Sequence, residues 1–229
     1  MATRGLAALL LGLGLFAGGA EVLAQTEERI DTAASNLLPV LRPSAGAHHE
    51  RETLLPFGRL KVTLPDGRDA DIETSWFHYL GDMHIRLVFD GAQTLQSASP
   101  DDLARLKLSP REALQLAVAN LRRVYGAPAV QAWSGSVMQV QGGAADLNSS
   151  YLLDREFWRD LEGRHPAGLV VAVPRRGGLV YVPADDAEGL AQLRFSAAAL
   201  YASGERNRVS SALYLFRDGQ WSVFQPPAP

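Results

Sequence analysis

Ser109-Pro110-Arg111-Glu112-Ala113-Leu114-Gln115-Leu116-Ala117-Val118-Ala119-Asn120-Leu121-Arg122-Arg123-Val124-Tyr125-Gly126-Ala127-Pro128 decides the fold class. Ser109 and Glu112 have the spacing of a capping box, with proline at the first helical position between them. Leu114, Ala117, Val118, Leu121 and Val124 then recur on one helical face, and Arg111, Gln115, Arg122 and Arg123 on the other. Gly126 and Pro128 stop the helix. Directly after it the period changes from helical to alternating, and residues 129–133 and 137–141 predict a tight hairpin.

The same plan recurs twice downstream. A helix over residues 150–162, with Leu153, Phe157 and Leu161 at helical spacing, leads to strands 168–173 and 179–182. A helix over 187–203, stopped by Gly204, leads to strands 211–216 and 220–224 around Asp218-Gly219. With that turn, Phe216 faces Trp221 and Tyr214 faces Val223, an aromatic stripe read as core. Upstream, Leu60, Val62 and Leu64 alternate into the turn Pro65-Asp66-Gly67-Arg68, followed by strands 70–80 and 83–89 joined at Gly81-Asp82. Ser99-Pro100-Asp101-Asp102 opens another helix. Strands in tight pairs disfavour a doubly wound parallel sheet, which needs crossovers. The expectation is one α+β domain over residues 54–226. Its sheet is mainly antiparallel, built from an N-terminal meander and three helix-then-hairpin units, with the helices mostly on one face.

The termini read differently. Residues 1–24 carry Arg4, then an apolar run with five glycines, then Val22-Leu23-Ala24, the pattern of a cleavable signal peptide ending at Ala24. No later stretch has about 18 consecutive apolar residues, so no membrane span is expected after its removal. Residues 25–53, with Pro39, Pro43 and Ser44-Ala45-Gly46-Ala47-His48-His49, read as a linker or loosely packed arm with a short helix near 32–38. The expected location is therefore the periplasm or the cell exterior.

Composition narrows the chemistry. The 229 residues hold 22 Lys plus Arg, 25 Asp plus Glu and no Cys. A net charge of −3 argues against nucleic acid as a partner, because phosphate neutralisation needs a basic surplus. A cysteine-free exported domain has no disulfide and no thiolate zinc site, and must stand on its core alone. Among the five histidines, His48 and His49 beside Glu50 and Glu52 lack a zinc spacing. If Gly81-Asp82 is a two-residue turn, His78 pairs with Ile85 and Tyr79 with His84, which sends His78 and His84 to opposite faces. No metal and no cofactor are therefore expected. Ser134-Gly135-Ser136 lies in a hairpin turn without the strand-to-helix elbow of a hydrolase serine. Asp101-Asp102 and Asp185-Asp186 open helices, where the backbone dipole favours negative charge.

The basic hairpin tip Pro174-Arg175-Arg176-Gly177-Gly178 stands out, because exposed guanidinium groups suit a carboxylate or phosphate partner. Several words in order resemble the YtpQ-like family of bacterial proteins: Met83-His84-Ile85-Arg86-Leu87-Val88-Phe89-Asp90, Ala119-Asn120-Leu121, Ser150-Tyr151-Leu152-Leu153 with Trp158, Val171-Ala172-Val173-Pro174 with Arg175 and Arg176, and Ser210-Ser211-Ala212-Leu213-Tyr214 with Gln220-Trp221. The resemblance implies an α+β fold and brings no activity with it.

The resulting expectation is a non-enzymatic binding or accessory module whose partner is another exported or envelope protein. Its candidate binding residues are Arg175, Arg176 and Asn120. The alternative is a hydrolase-type enzyme whose site assembles only in three dimensions, from Asp90, Asn120, Glu156 and Arg176 near element ends.

Overall fold

In the computed structural model the described residues are 30–227, apart from 45 and 93, and the signal peptide expected over residues 1–24 lies outside them. The chain order is β1 (Leu37–Pro43), β2 (Leu55–Pro56), β3 (Arg59–Thr63), β4 (Asp69–Glu73), β5 (Trp76–His78), β6 (Met83–Asp90), β7 (Leu95–Ser97), α1 (Pro100–Leu106), α2 (Pro110–Tyr125), β8 (Ala129–Ser134), β9 (Val137–Gln141), α3 (Arg155–Glu162), β10 (Leu169–Arg175), β11 (Gly178–Pro183), α4 (Ala187–Ala202), β12 (Leu213–Arg217) and β13 (Gln220–Gln225). Short 3-10 turns at Ala34–Asn36, Ala145–Leu153 and Glu205–Asn207 complete it. The fold is α+β, and every strand pair is antiparallel.

The three helix-then-hairpin units do share one sheet. Their strands run β13-β12-β10-β11-β9-β8, six in a row. The meander does not join them. It forms a second sheet in the order β1-β6-β5-β2, with β7 also on β6, while β3 and β4 stand apart as a two-stranded ribbon. The return strand expected over residues 70–80 breaks at Thr74-Ser75, so its first half serves the ribbon and its second half the sheet. The expected linker is also more than an arm. Leu37, Leu38, Val40 and Leu41 are buried, and β1 pairs with β6 over its whole length, from Leu37 opposite Phe89 to Pro43 opposite Met83. Two prolines made this segment look broken, yet an edge strand tolerates them because only one side of its ladder is used.

Alternation in β10 and β11 splits the helices between two faces. Val170, Ala172, Val180 and Val182 point toward Leu193 and Ala197 of α4. Val171, Val173, Leu179 and Tyr181 point the other way, into the larger core shared with β1, β6 and α2. The fully buried Trp158 of α3 lies there, its ring 5.2 Å from Trp221 and 5.8 Å from Tyr181. The helices thus lie mostly on one side, with α1, α2 and α3 contributing to the larger core and α4 covering the opposite face. A six-stranded sheet with two apolar faces needs a cover on each. Removing one such aromatic from water stabilises by about 1.5–3 kcal/mol.

The helix starts follow the sequence closely. Ser109 accepts from the Glu112 amide while Glu112 accepts from the Ser109 amide, and Ser99 and Asp102 repeat the arrangement at α1. Asp186 caps α4 by accepting from Gly189 N. The helix expected over 150–162 is divided, with a 3-10 turn up to Leu153 and α3 starting only after Asp154, which accepts from the Phe157 amide.

Candidate functional site

Strand β6 alternates between Met83, Ile85, Leu87 and Phe89 on one face and His84, Arg86 and Val88 on the other. Register carries the second face across the sheet. Arg42 of β1 lies opposite His84, while His78 and Trp76 of β5 lie opposite His84 and Arg86. Phe57, just past β2, extends the row, its ring stacked on His78 and tilted against His84, each at 4.7 Å.

The His78–His84 pairing corrects the expected face assignment. Tyr79 N donates to Met83 O, so the connection is the three-residue loop Leu80-Gly81-Asp82, with Gly81 at a φ of 56°. A two-residue turn shifts the register by one and flips every side chain. His49 also approaches, its ring 5.3 Å from that of His78. Among the described residues, no group of three His, Cys, Asp or Glu side chains is placed to hold a metal ion.

What gathers on this face is positive charge. Arg86 Nε donates to His84 Nε2 at 2.8 Å, and its guanidinium carbon lies 3.5 Å from the centroid of the Trp76 ring. Arg42 sits beside it and donates through Nη1 to Leu41 O. The third member is Arg176, from the turn between β10 and β11 in the other sheet. Burial, then Arg176 and Arg86, lower the Arg42 pKa to about 10, against the weaker opposing effect of Asp146. Burial and then Arg176 lower Arg86 to about 10 as well. His84 is 1% exposed, and burial followed by the Arg86 charge pushes its pKa down to about 3, so the ring is neutral.

Among the described residues, none of these three arginines has a carboxylate within ion-pair distance. Partly buried like charges without counterions are costly, and they favour an anion that supplies the missing charge. Among the described residues, Arg176 Nε is buried with no hydrogen-bond partner, and so is Trp76 Nε1.

The expected binding residues part company here. The basic tip is not free in solvent. Arg176 is half-buried, its amide donating to Asn207 O and its carbonyl accepting from Ser149 N. Arg175 is exposed and bridges Arg208 through the backbone. Asn120 is buried and acts as a strut. Its Nδ2 donates to Ala34 O at 2.9 Å and Leu37 O at 3.0 Å, fixing the entry into β1. The candidates for an enzyme site also have separate partners. Asp90 accepts from Tyr125 OH, Glu156 pairs with Arg122, and the charge of Arg176 acts on Arg42 and Arg86.

Glu156 lines a cleft of about 830 Å³ together with Glu52, Leu114, Asp154, Arg155 and Trp221. Some of its charged walls are matched, but among the described residues Arg51 and Arg111 have no ion pair and the buried Asp154 Oδ2 has no hydrogen-bond partner. Glu52 accepts from Tyr79 OH, from Arg155 and from Trp221 N, while Arg122 bonds Asp154 and Glu156. Burial raises the Asp154 pKa, against the pull of its helix-capping bond and of Arg122. Carboxylates stand beside the arginines of the cleft, whereas the arginine face has none within ion-pair distance among the described residues.

Arg42 and Arg86 were not singled out from the sequence, although a signal was present. In the β6 word His84 and Arg86 are the two basic residues inside an apolar strand, two apart and therefore on one face. No family model, curated protein or solved structure matches the chain.

Proposed function

We propose that the chain is an exported, non-enzymatic binding module that holds an anionic group of its partner against Arg42, Arg86 and Arg176. One observation carries this reading: Arg42 and Arg86 share one face of paired strands, the charge of the half-buried Arg176 acts on both, and among the described residues no carboxylate lies within ion-pair distance of the three. Guanidinium groups bind and orient oxyanions through paired N–H donors and do not exchange protons at neutral pH, which suits recognition. Export is supported by the signal pattern over residues 1–24, and an envelope molecule is the partner such an address makes available. The ordered words of the β6 strand and of the 171–176 segment support kinship with the YtpQ-like family. Both words fall on this site.

The test is thermal melting of the mature chain in acetate, sulfate and phosphate against chloride at matched ionic strength. At least one polyatomic anion raises the melting temperature of the wild type. Arg42→Ala, Arg86→Ala and Arg176→Ala each lose that rise, while Arg175→Ala keeps it. A wild type indifferent to all three anions overturns the reading. Exported material beginning at Met1 overturns the cleavage.

A further inference from the structure

From the same face we infer that the group bound is a phosphoryl monoester, a tetrahedral dianion, rather than a carboxylate; this rests on the anion-binding reading above. The first argument is charge. A single carboxylate offers one negative charge to three half-buried cations and leaves two uncompensated. A phosphate monoester carries about −1.5 to −2 charges near neutral pH, together with three strong acceptor oxygens.

The second argument is donor geometry. Arg86 is held by its Nε on His84 and by the Trp76 ring, which leaves both Nη groups without a protein partner among the described residues. Arg42 spends Nη1 on Leu41 O and keeps Nε and Nη2. Arg176 keeps a buried Nε with no partner. Each arginine thus presents its own unfilled donors, from three different strands or turns. A flat carboxylate has two oxygens in one plane, matched by one guanidinium fork. Three donors arriving from separate elements of two sheets match an acceptor with three terminal oxygens around a centre.

The third argument is the neighbourhood. Ser149, whose amide is bonded to the Arg176 carbonyl, has a buried hydroxyl without a partner among the described residues. Trp76 Nε1 is likewise unpaired and buried beside Arg86. Both are neutral donors of the kind that complete the hydrogen bonding of a phosphoryl oxygen. Asp146, whose charge acts on Arg42, is exposed, and its effect there is weaker than those of burial, Arg176 and Arg86.

The experiment is titration calorimetry of the mature chain at neutral pH with methyl phosphate, dimethyl phosphate and acetate. Methyl phosphate binds about tenfold or more tightly than the two monoanions, equivalent to at least about 1.4 kcal/mol. Arg176→Gln weakens methyl phosphate by about tenfold or more, and Arg175→Gln changes it by less than about twofold. Vesicles bearing phosphatidic acid separate the two sources of such a group. Binding to vesicles with weak methyl phosphate affinity assigns a lipid headgroup, and tight methyl phosphate binding without vesicle capture assigns a free monoester. Acetate or dimethyl phosphate binding as tightly as methyl phosphate overturns this inference and leaves the anion-binding reading standing. No binding of any of the four overturns both. Circular dichroism of each variant confirms that a lost affinity is not a lost fold.

Discussion

Arg86 lies over Trp76, its guanidinium carbon 3.5 Å from the ring centroid, while its Nε donates to His84. A cation–π contact and a hydrogen bond together fix a guanidinium plane at an edge where two more arginines arrive. The arrangement places charge where folding alone gains nothing from it, and the expectations below follow from that.

Removing one of the three charges relieves repulsion in the unliganded protein. Arg176→Gln is expected to raise the melting temperature in chloride by about 2–4 °C, corresponding to roughly 1 kcal/mol for a domain of this size. The same variant loses stabilisation by phosphate. A lowered melting temperature in chloride would mean that Arg176 is held by favourable contacts and not kept in place for a ligand.

Acid acts through His84. Its folded pKa is about 3, whereas an unperturbed histidine titrates near 6.5. Between those values the unfolded chain binds a proton that the folded chain refuses. The stability His84 leaves intact above about pH 6.5 is therefore lost as the pH falls toward about 3, by up to about 1.4 kcal/mol per pH unit. His78, lowered by burial and then by His49, adds in the same direction. Urea denaturation at neutral and mildly acidic pH checks this, and His84→Gln should flatten the dependence. An unchanged slope in that variant would place the effect elsewhere.

Asn120 separates a strut from a binding residue. Asn120→Ala removes the Nδ2 donor from the Ala34 and Leu37 carbonyls next to buried β1, leaving Ala34 O only the Leu37 amide, at a cost of about 1–3 kcal/mol. Its affinity for methyl phosphate stays that of the wild type once the protein is folded. Denaturant titration and calorimetry on the same sample read both quantities.

Gly81 sets the register that brings His78 opposite His84. Its φ is 56°, and a Cβ there would meet Tyr214 OH at 2.7 Å. Gly81→Ala is expected to cost about 2 kcal/mol or more, from the strained backbone and the crowding together. A neutral outcome would show that the loop can relax without disturbing the buried Tyr214.

These residues also show how far the sequence could be read. The capping boxes at Ser99 and Ser109, the register of Phe216 on Trp221 and the sharing of one sheet by three hairpins rest on local chemistry, and local chemistry is what a sequence displays. The separate first sheet was hidden. Its edge strand β1 carries two prolines, and its partner β6 lies forty or more residues away, from Pro43 opposite Met83 to Leu37 opposite Phe89, a pairing no local pattern reports. The face assignment of His84 failed by one residue of loop length, because Gly81-Asp82 reads as a complete turn while Leu80 belongs to the loop as well. Arg176 was visible, but its meaning was not. A basic tip looks solvated until a second sheet supplies Arg42 and Arg86 to meet it.

The most direct measurement is the arginine Nε–H spectrum of the 15N-labelled mature chain, titrated with methyl phosphate. The three resonances lost or displaced in Arg42→Lys, Arg86→Lys and Arg176→Lys identify the cluster. The account predicts that these three shift together and saturably, while Arg175 stays in place. Uniform small shifts across the exposed arginines, with the cluster unmoved, would contradict it.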